Sequence, residues 1–279
     1  MAFQPTMPFG GTAGWSFLTR TMETQKAAMQ ASPVVKRDMD YFRANIAKVG
    51  SAEDLVKDYT LLKVALGAFG LQEDLPNKFF VRKVLEEGVF DQTSLANRLS
   101  DPRYGAFSKA FGFGGAGVPR TVLSGFPDEI LSAYSDQTFE VAVGDTQPEL
   151  RLALGLEREL DRVLKGATSA DAHWFGVMGS PPLRNVFETA FGLPESFAAL
   201  DIDQQLRVFR TRADAIFGAP EVADFAAPEM LEGLRDRFLL LTELDGGSAN
   251  LASTPVLGLL SGAAGSIGSA SVLSALYSA

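Results

Sequence analysis

Four stretches of the chain repeat one spacing of apolar residues, with steps of four, three, four and three. The first runs Val35, Met39, Phe42, Ile46, Val49, and the second Leu55, Tyr59, Leu62, Leu66, Phe69. The third is Ile202, Leu206, Phe209, Ala213, Ile216, and the fourth Ala227, Leu231, Leu234, Phe238, Leu241. That period lays all five side chains of a run on one stripe of an α-helix, whereas a half-buried strand would alternate at every second residue. Each run covers only about two heptads, which suits helices of ordinary length on a globular core rather than a long coiled coil. The pattern predicts an all-α chain, a compact bundle of roughly ten to twelve helices.

Punctuation between the runs agrees. Ser32-Pro33, Asp101-Pro102 and Ser180-Pro181 each place a capping residue before a proline, whose missing N–H costs nothing in the first helical turn. Ser51 with Asp54, Thr146 with Glu149 and Asp201 with Gln204 have capping-box spacing. Gly50, Gly70, Gly88, Gly112, Gly166, Gly192 and Gly218 stand where helices should end. Four of these follow phenylalanine: Phe69-Gly70, Phe111-Gly112, Phe191-Gly192 and Phe217-Gly218. Pro102, Phe107, Ala110, Phe111 and Gly112 recur in register as Pro182, Phe187, Ala190, Phe191 and Gly192. This match reads either as a duplicated helical hairpin or as two short helices capped alike, and both readings give helices.

Residues 113–124 are Gly-rich and polar. They predict a loop between an N-terminal helical lobe, 1–112, and a C-terminal one, 125–244, the two making one domain or two. From Asp245 the chain turns to Gly, Ser and Ala with almost no charge, which predicts a tail over 245–279. That tail is a flexible end or a docking segment, with Leu257, Leu259, Leu260, Ile267, Val272, Leu273 and Leu276 as its candidate contacts.

Composition narrows the chemistry. The 279 residues are 46% hydrophobic and 21% charged, the balance of a folded soluble protein, and the 21 phenylalanines supply core without a polar tip to satisfy. The net charge of −9 argues against nucleic-acid and anionic-membrane partners. With no cysteine, disulfides, thiolate zinc sites and cysteine nucleophiles are excluded; with His173 as the one histidine, so are multi-histidine metal sites. The first fourteen residues lack a basic start and an apolar core, and no run of about 18 apolar residues occurs, so no signal peptide or membrane span is expected. A cytoplasmic location is the expectation.

No motif points to catalysis, a metal or a cofactor, and none is expected. Gly112, Gly114 and Gly117 satisfy G-x-G-x-x-G, but a predicted helix precedes them and Pro119 follows, whereas a dinucleotide fingerprint needs a strand before and a helix after. Asp38 with Asp40, and Asp201 with Asp203, stand two apart and so on different faces of a helix. Glu86, Glu87, Glu157 and Glu159 alternate with Lys83, Arg158 and Arg162 as solvated helix faces do. His173, beside Trp174, reads as a structural or surface histidine. The conspicuous polar residues in apolar surroundings are Arg82, Arg98, Asp101, Arg103 and Tyr104, a candidate interaction site or internal ion-pair network.

Several of these segments carry a resemblance. Residues 55–71, 94–104, 139–144, 150–154, 181–188, 191–194 and 200–205 resemble, in order, an alphaproteobacterial family of unknown function numbered 1217. The likeness runs from about Trp15 to about Leu241. It implies a helical fold and a flagellar context, because members tend to be encoded near flagellar basal-body genes and some carry names of basal-body rod proteins. The axial-protein motifs of rod proteins do not occur in this chain, and the family brings no catalytic residues to carry over. The expectation is a non-enzymatic structural, assembly or binding protein of flagellar biogenesis. It would be flagellum-associated, with other proteins, basal-body components among them, as partners. The alternatives are a peptidoglycan-acting hydrolase or lyase, which would hold a glutamate of raised pKa in a deep cleft, and a flagellar export chaperone, which would show an apolar groove.

Overall fold

The structure, a computed structural model, describes residues 3–99, 101–115 and 117–251, with 246–251 as backbone alone. Among them lie thirteen α-helices and no strand. The chain divides into two compact units between Gly155 and Leu156. The first holds α1 (Gly11–Ala31), α2 (Pro33–Asn45), α3 (Ala52–Lys57), α4 (Tyr59–Ala68), α5 (Lys78–Glu87), α6 (Leu95–Arg98), α7 (Pro102–Phe111), α8 (Phe126–Gly144) and the first half of α9 (Pro148–Gly166). The second holds the remainder of α9, α10 (Ala170–Gly179), α11 (Pro181–Ala190), α12 (Ile202–Phe217) and α13 (Pro228–Leu251).

The boundary thus falls inside a helix and not at residues 113–124. The cause is packing. Helix α8, which follows that segment, lies along α4, and its Ile130, Leu131 and Tyr134 belong to the same apolar cluster as Phe42, Leu62 and Leu66. The segment itself is pinned by Thr121, which is wholly buried and donates its hydroxyl to the Val49 carbonyl at 2.7 Å. Helix α13 runs past Asp245 to Leu251, and the candidate tail contacts from Leu257 to Leu276 lie outside the described residues.

The four Phe-Gly pairs build one recurring corner. Each closes a helix and is followed by a short 3-10 turn and another helix. The turns are Gln72–Asp74 before α5, Arg120–Val122 before α8, Glu195–Ala199 before α12 and Val222–Ala226 before α13. Gly70, Gly112, Gly192 and Gly218 all have φ between +63° and +71°, where a side chain would be strained. After α4 and α11 the chain closes in a Schellman pattern, Leu71 N–H to Leu66 carbonyl and Leu193 N–H to Glu188 carbonyl, both 2.9 Å. After α7 and α12 a single bond from the glycine N–H does so, Gly112 to Ser108 at 3.0 Å and Gly218 to Asp214 at 2.8 Å.

Other expectations shift by a residue or a turn. The stripe from Leu55 to Phe69 is two helices, because Asp58 caps α4, its carboxylate accepting from the N–H groups of Thr60 and Leu61 at 2.9 and 3.0 Å. Tyr59, at the first turn, is exposed in consequence. The stripe from Val35 ends its α-helix at Asn45, and Ile46 and Val49 reach the core through a 3-10 turn. Ser51, Asp101 and Asp201 cap their helices through the side chain, while Ser32 and Ser180 do not. Thr146 belongs to the end of α8, its N–H bonded to the Val143 carbonyl, and α9 begins only at Pro148. Gly50 and Gly166 are not left-handed ends, and Ile202 and Ala227 lie outside the core.

The two cores differ in material. In the first unit α4 is buried from Val64 to Ala68, and Gly67 lets the Tyr134 ring of α8 approach so closely that a Cβ there would sit 2.8 Å from it. Most of this core is aliphatic. In the second unit the fully buried Trp174 packs on Phe187, Phe191 and Phe209, and these rings continue to Phe197, Phe217 and Phe225. Edge-to-face pairs such as Phe187 with Phe225 add to simple burial.

Candidate functional site

Helices α7 and α8 leave an open groove of about 320 Å³ between them in the first unit. Its floor is Phe69, Ala110, Ile130 and Ala133, with Ala106 at the edge. The alanines create the space: larger side chains at these positions would fill it. The rim is charged. Arg120 donates to Glu129 at 2.9 Å, while Lys109 has no hydrogen-bond or ion-pair partner among the described residues. Just beyond Arg120 the chain shows Val122 and Leu123, both about half exposed, and Val118 stands 77% exposed before it. Buried Thr121 holds these apolar side chains on an anchored turn. Glu129 is the one carboxylate lining the groove, and it is ion-paired to Arg120. The geometry suits capture of an apolar segment.

The candidate polar residues fall into separate places. Asp101 caps α7, accepting from the Arg103 N–H at 2.9 Å, and its carboxylate takes three further bonds from the Arg103 guanidinium, the shortest 2.6 Å. Arg103 also donates to the Gly70 carbonyl at 2.5 Å, which ties the end of α4 to the start of α7. Tyr104 donates to Asp74 at 2.6 Å and meets the Phe80 ring edge-on; burial, with the hydrogen bond and charge of Asp74, pushes its phenol up to about 12. Arg82 lies elsewhere, half-buried over the Phe79 ring and paired with Glu86 at 3.4 Å. Arg98 is exposed on α6 and joins none of these contacts. Asp101, Arg103 and Tyr104 thus act as structural ties at a helix corner.

The remaining motifs resolve similarly. Gly112 is a helix end, and Gly114 packs on backbone, its Cβ position 2.3 Å from the Gly88 nitrogen; a helix precedes them and a 3-10 turn follows, unlike the strand-turn-helix setting of a dinucleotide fingerprint. His173 Nε2 lies 2.9 Å from the Ala167 carbonyl, a local tie. Among the described residues no group of three His, Asp or Glu could hold a metal ion, and no helix is long and apolar enough to cross a membrane.

Sequence reasoning missed an ion pair on a buried carboxylate. Asp38 is 4% exposed and accepts from Lys63 at 2.6 Å, joining α2 to α4. Burial alone would lower the lysine's pKa, but the Asp38 hydrogen bond and charge, with the nearby Tyr134 and Tyr59, carry it upward, so Lys63 stays charged. The groove was missed as well. Its signal was available only as Ala106, Ala110 and Ala133 facing one another from two helices, a juxtaposition that no local pattern encodes.

Residues 68–231 match the model of a family described as protein of unknown function, DUF1217. The fold is similar to the crystal structure of protein AGR_C_984 from Agrobacterium tumefaciens, a structural-genomics target, with a TM-score of 0.68 and 27% sequence identity over 87% of this chain and 99% of that one. A search of curated proteins returned no match.

Proposed function

The chain belongs to the DUF1217 family, and on that footing we propose that it is a non-enzymatic binding or assembly protein serving flagellar biogenesis. The observation that supports binding is the groove between α7 and α8, an apolar floor with a charged rim, beside the exposed Val118, Val122 and Leu123. Exposed apolar patches rimmed by polar residues mark interaction sites and ligand-binding grooves. The flagellar context rests on the resemblance of residues 55–71 and 94–104, among others, to proteins encoded near basal-body genes. The same groove would also serve an export chaperone that shields an apolar segment of its cargo before secretion. Deletion of the gene tests the proposal: loss of motility or of flagella is the expected result, and unchanged motility and flagellar number would overturn it. Crosslinking from cells carrying the full chain tagged at its N-terminus separates the two readings. Basal-body components indicate an assembly factor, and soluble cargo indicates a chaperone.

A further inference from the structure

Helices α7 and α11 share the pattern of proline, then phenylalanine five residues on, then Ala-Phe-Gly, yet the α7 flank shows an exposed alanine where that of α11 is buried. In register, Ala106, Lys109 and Ala110 of α7 correspond to Val186, Thr189 and Ala190 of α11. Val186 is 1% exposed and Ala190 fully buried. Helix α13 lies along α11, its Arg237 donating to the Ala190 carbonyl at 2.6 Å. Ala110 is buried as well, at 8% exposed, but Ala106 is exposed and forms the edge of the groove. The second unit therefore supplies a template for what sits on this flank: an amphipathic helix such as α13, whose Leu231, Leu234 and Phe238 face inward at helical spacing.

We infer that the groove between α7 and α8 takes an amphipathic helix of a partner protein whose apolar stripe is bordered by acidic residues. This rests on the binding reading above. The occupant is read as a helix because helix α13 lies along α11 on the corresponding flank, and an apolar floor between two helices is the setting of helix-in-groove recognition. The sign of the partner's charge follows from the rim. Lys109 has no partner among the described residues, and Arg120 is offset by Glu129, which leaves one net positive charge at the edge of an otherwise acidic chain. An acidic border on the incoming helix would pair Lys109, whereas a basic border would bring like charges together.

The test places a photo-crosslinking benzoylphenylalanine at position 122, beside the groove, of the full chain in motile cells and identifies the captured peptide. Val122 and Lys109 are both exposed, so substitution there leaves the fold intact. The expected peptide carries apolar residues three and four apart with Asp or Glu beside them. Its yield should fall roughly tenfold or more in Lys109→Glu, the size of one interfacial charge pair, and recover when an acidic residue of the peptide is changed to Lys. A captured peptide without that pattern, a second copy of this chain, or a yield indifferent to Lys109→Glu would overturn the acidic-helix assignment while the binding reading stands. If the chain folds, shown by an unchanged circular dichroism spectrum, and position 122 captures no protein, both fail.

Discussion

Helices α7 and α11 begin with similar sequence and are held in opposite ways. In the first unit the start of the helix is tied: Asp101 caps it and Arg103 bridges to the Gly70 carbonyl. In the second unit Ser180 offers no side-chain cap, and the end is tied instead, by the Schellman closure at Gly192 and by Arg237 on the Ala190 carbonyl. The surroundings differ too. Phe107 and Phe111 of α7 lie among aliphatic side chains and a few rings, whereas Phe187 and Phe191 of α11 stand in a cage of rings about Trp174. The α11 motif is enclosed as pure core, while the α7 motif keeps one flank open. A shared local pattern specifies the helix and its glycine end; its neighbours decide whether the helix becomes scaffold or surface.

The contrast can be broken in several places. Trp174→Ala should cost about 3–5 kcal/mol of unfolding free energy, and Phe107→Ala should fall lower in that range, because aliphatic neighbours collapse into a void more readily than a cage of rings. Equal costs in denaturant titrations would erase the difference between the cores. Arg237→Met should cost about 1.5–3 kcal/mol by leaving the carbonyl end of α11 without its charged donor. A neutral result would show that the end of α11 is held by the glycine alone. Gly112→Ala and Gly192→Ala should each cost about 1–2 kcal/mol, alike in both units, since both require a left-handed backbone. At the helix starts the symmetry should fail: Asp101→Ala should cost about 0.5–2 kcal/mol, and Ser180→Ala should stay within about 0.5 kcal/mol of the parent.

The last expected effect is confined to high pH. Tyr104 is held neutral in the folded chain up to about 12, against 10.0 for a free phenol. Its contribution is therefore complete below pH 10 and declines as the pH rises toward 12, because the unfolded chain ionises first. Tyr104→Phe should flatten the dependence of the unfolding midpoint in that window, and an unchanged slope would show that the Asp74 hydrogen bond does not govern it.

Much of the fold could be read from one-dimensional pattern, and the reasons are local. The corners at Phe69, Phe111, Phe191 and Phe217 were legible because a left-handed glycine and the aromatic before it act within one helical turn. Helix starts at Ser51, Asp101 and Asp201 were legible for the same reason. The division of the chain was not. Residues 113–124 have the composition of a linker, but Thr121 reaches Val49 across 72 positions, and no windowed reading senses that bond. The candidate site divides likewise. Asp101, Arg103 and Tyr104 stood out as polar residues in apolar sequence and turn out to tie one corner, while Arg82 and Arg98 stood out equally and lie apart from it. The groove escaped because its defining feature is what three alanines on two helices do not fill.

The central claim, that the flank of α7 is kept open for a partner while that of α11 is closed core, is tested most directly by partner recovery with Ala106→Glu, its unfolding midpoint followed beside that of Val186→Glu. The account predicts that Ala106→Glu unfolds like the parent and recovers no partner, whereas Val186→Glu, which buries a charge, loses the fold. An Ala106→Glu chain that recovers its partner in full, or that is destabilised as severely as Val186→Glu, would contradict it.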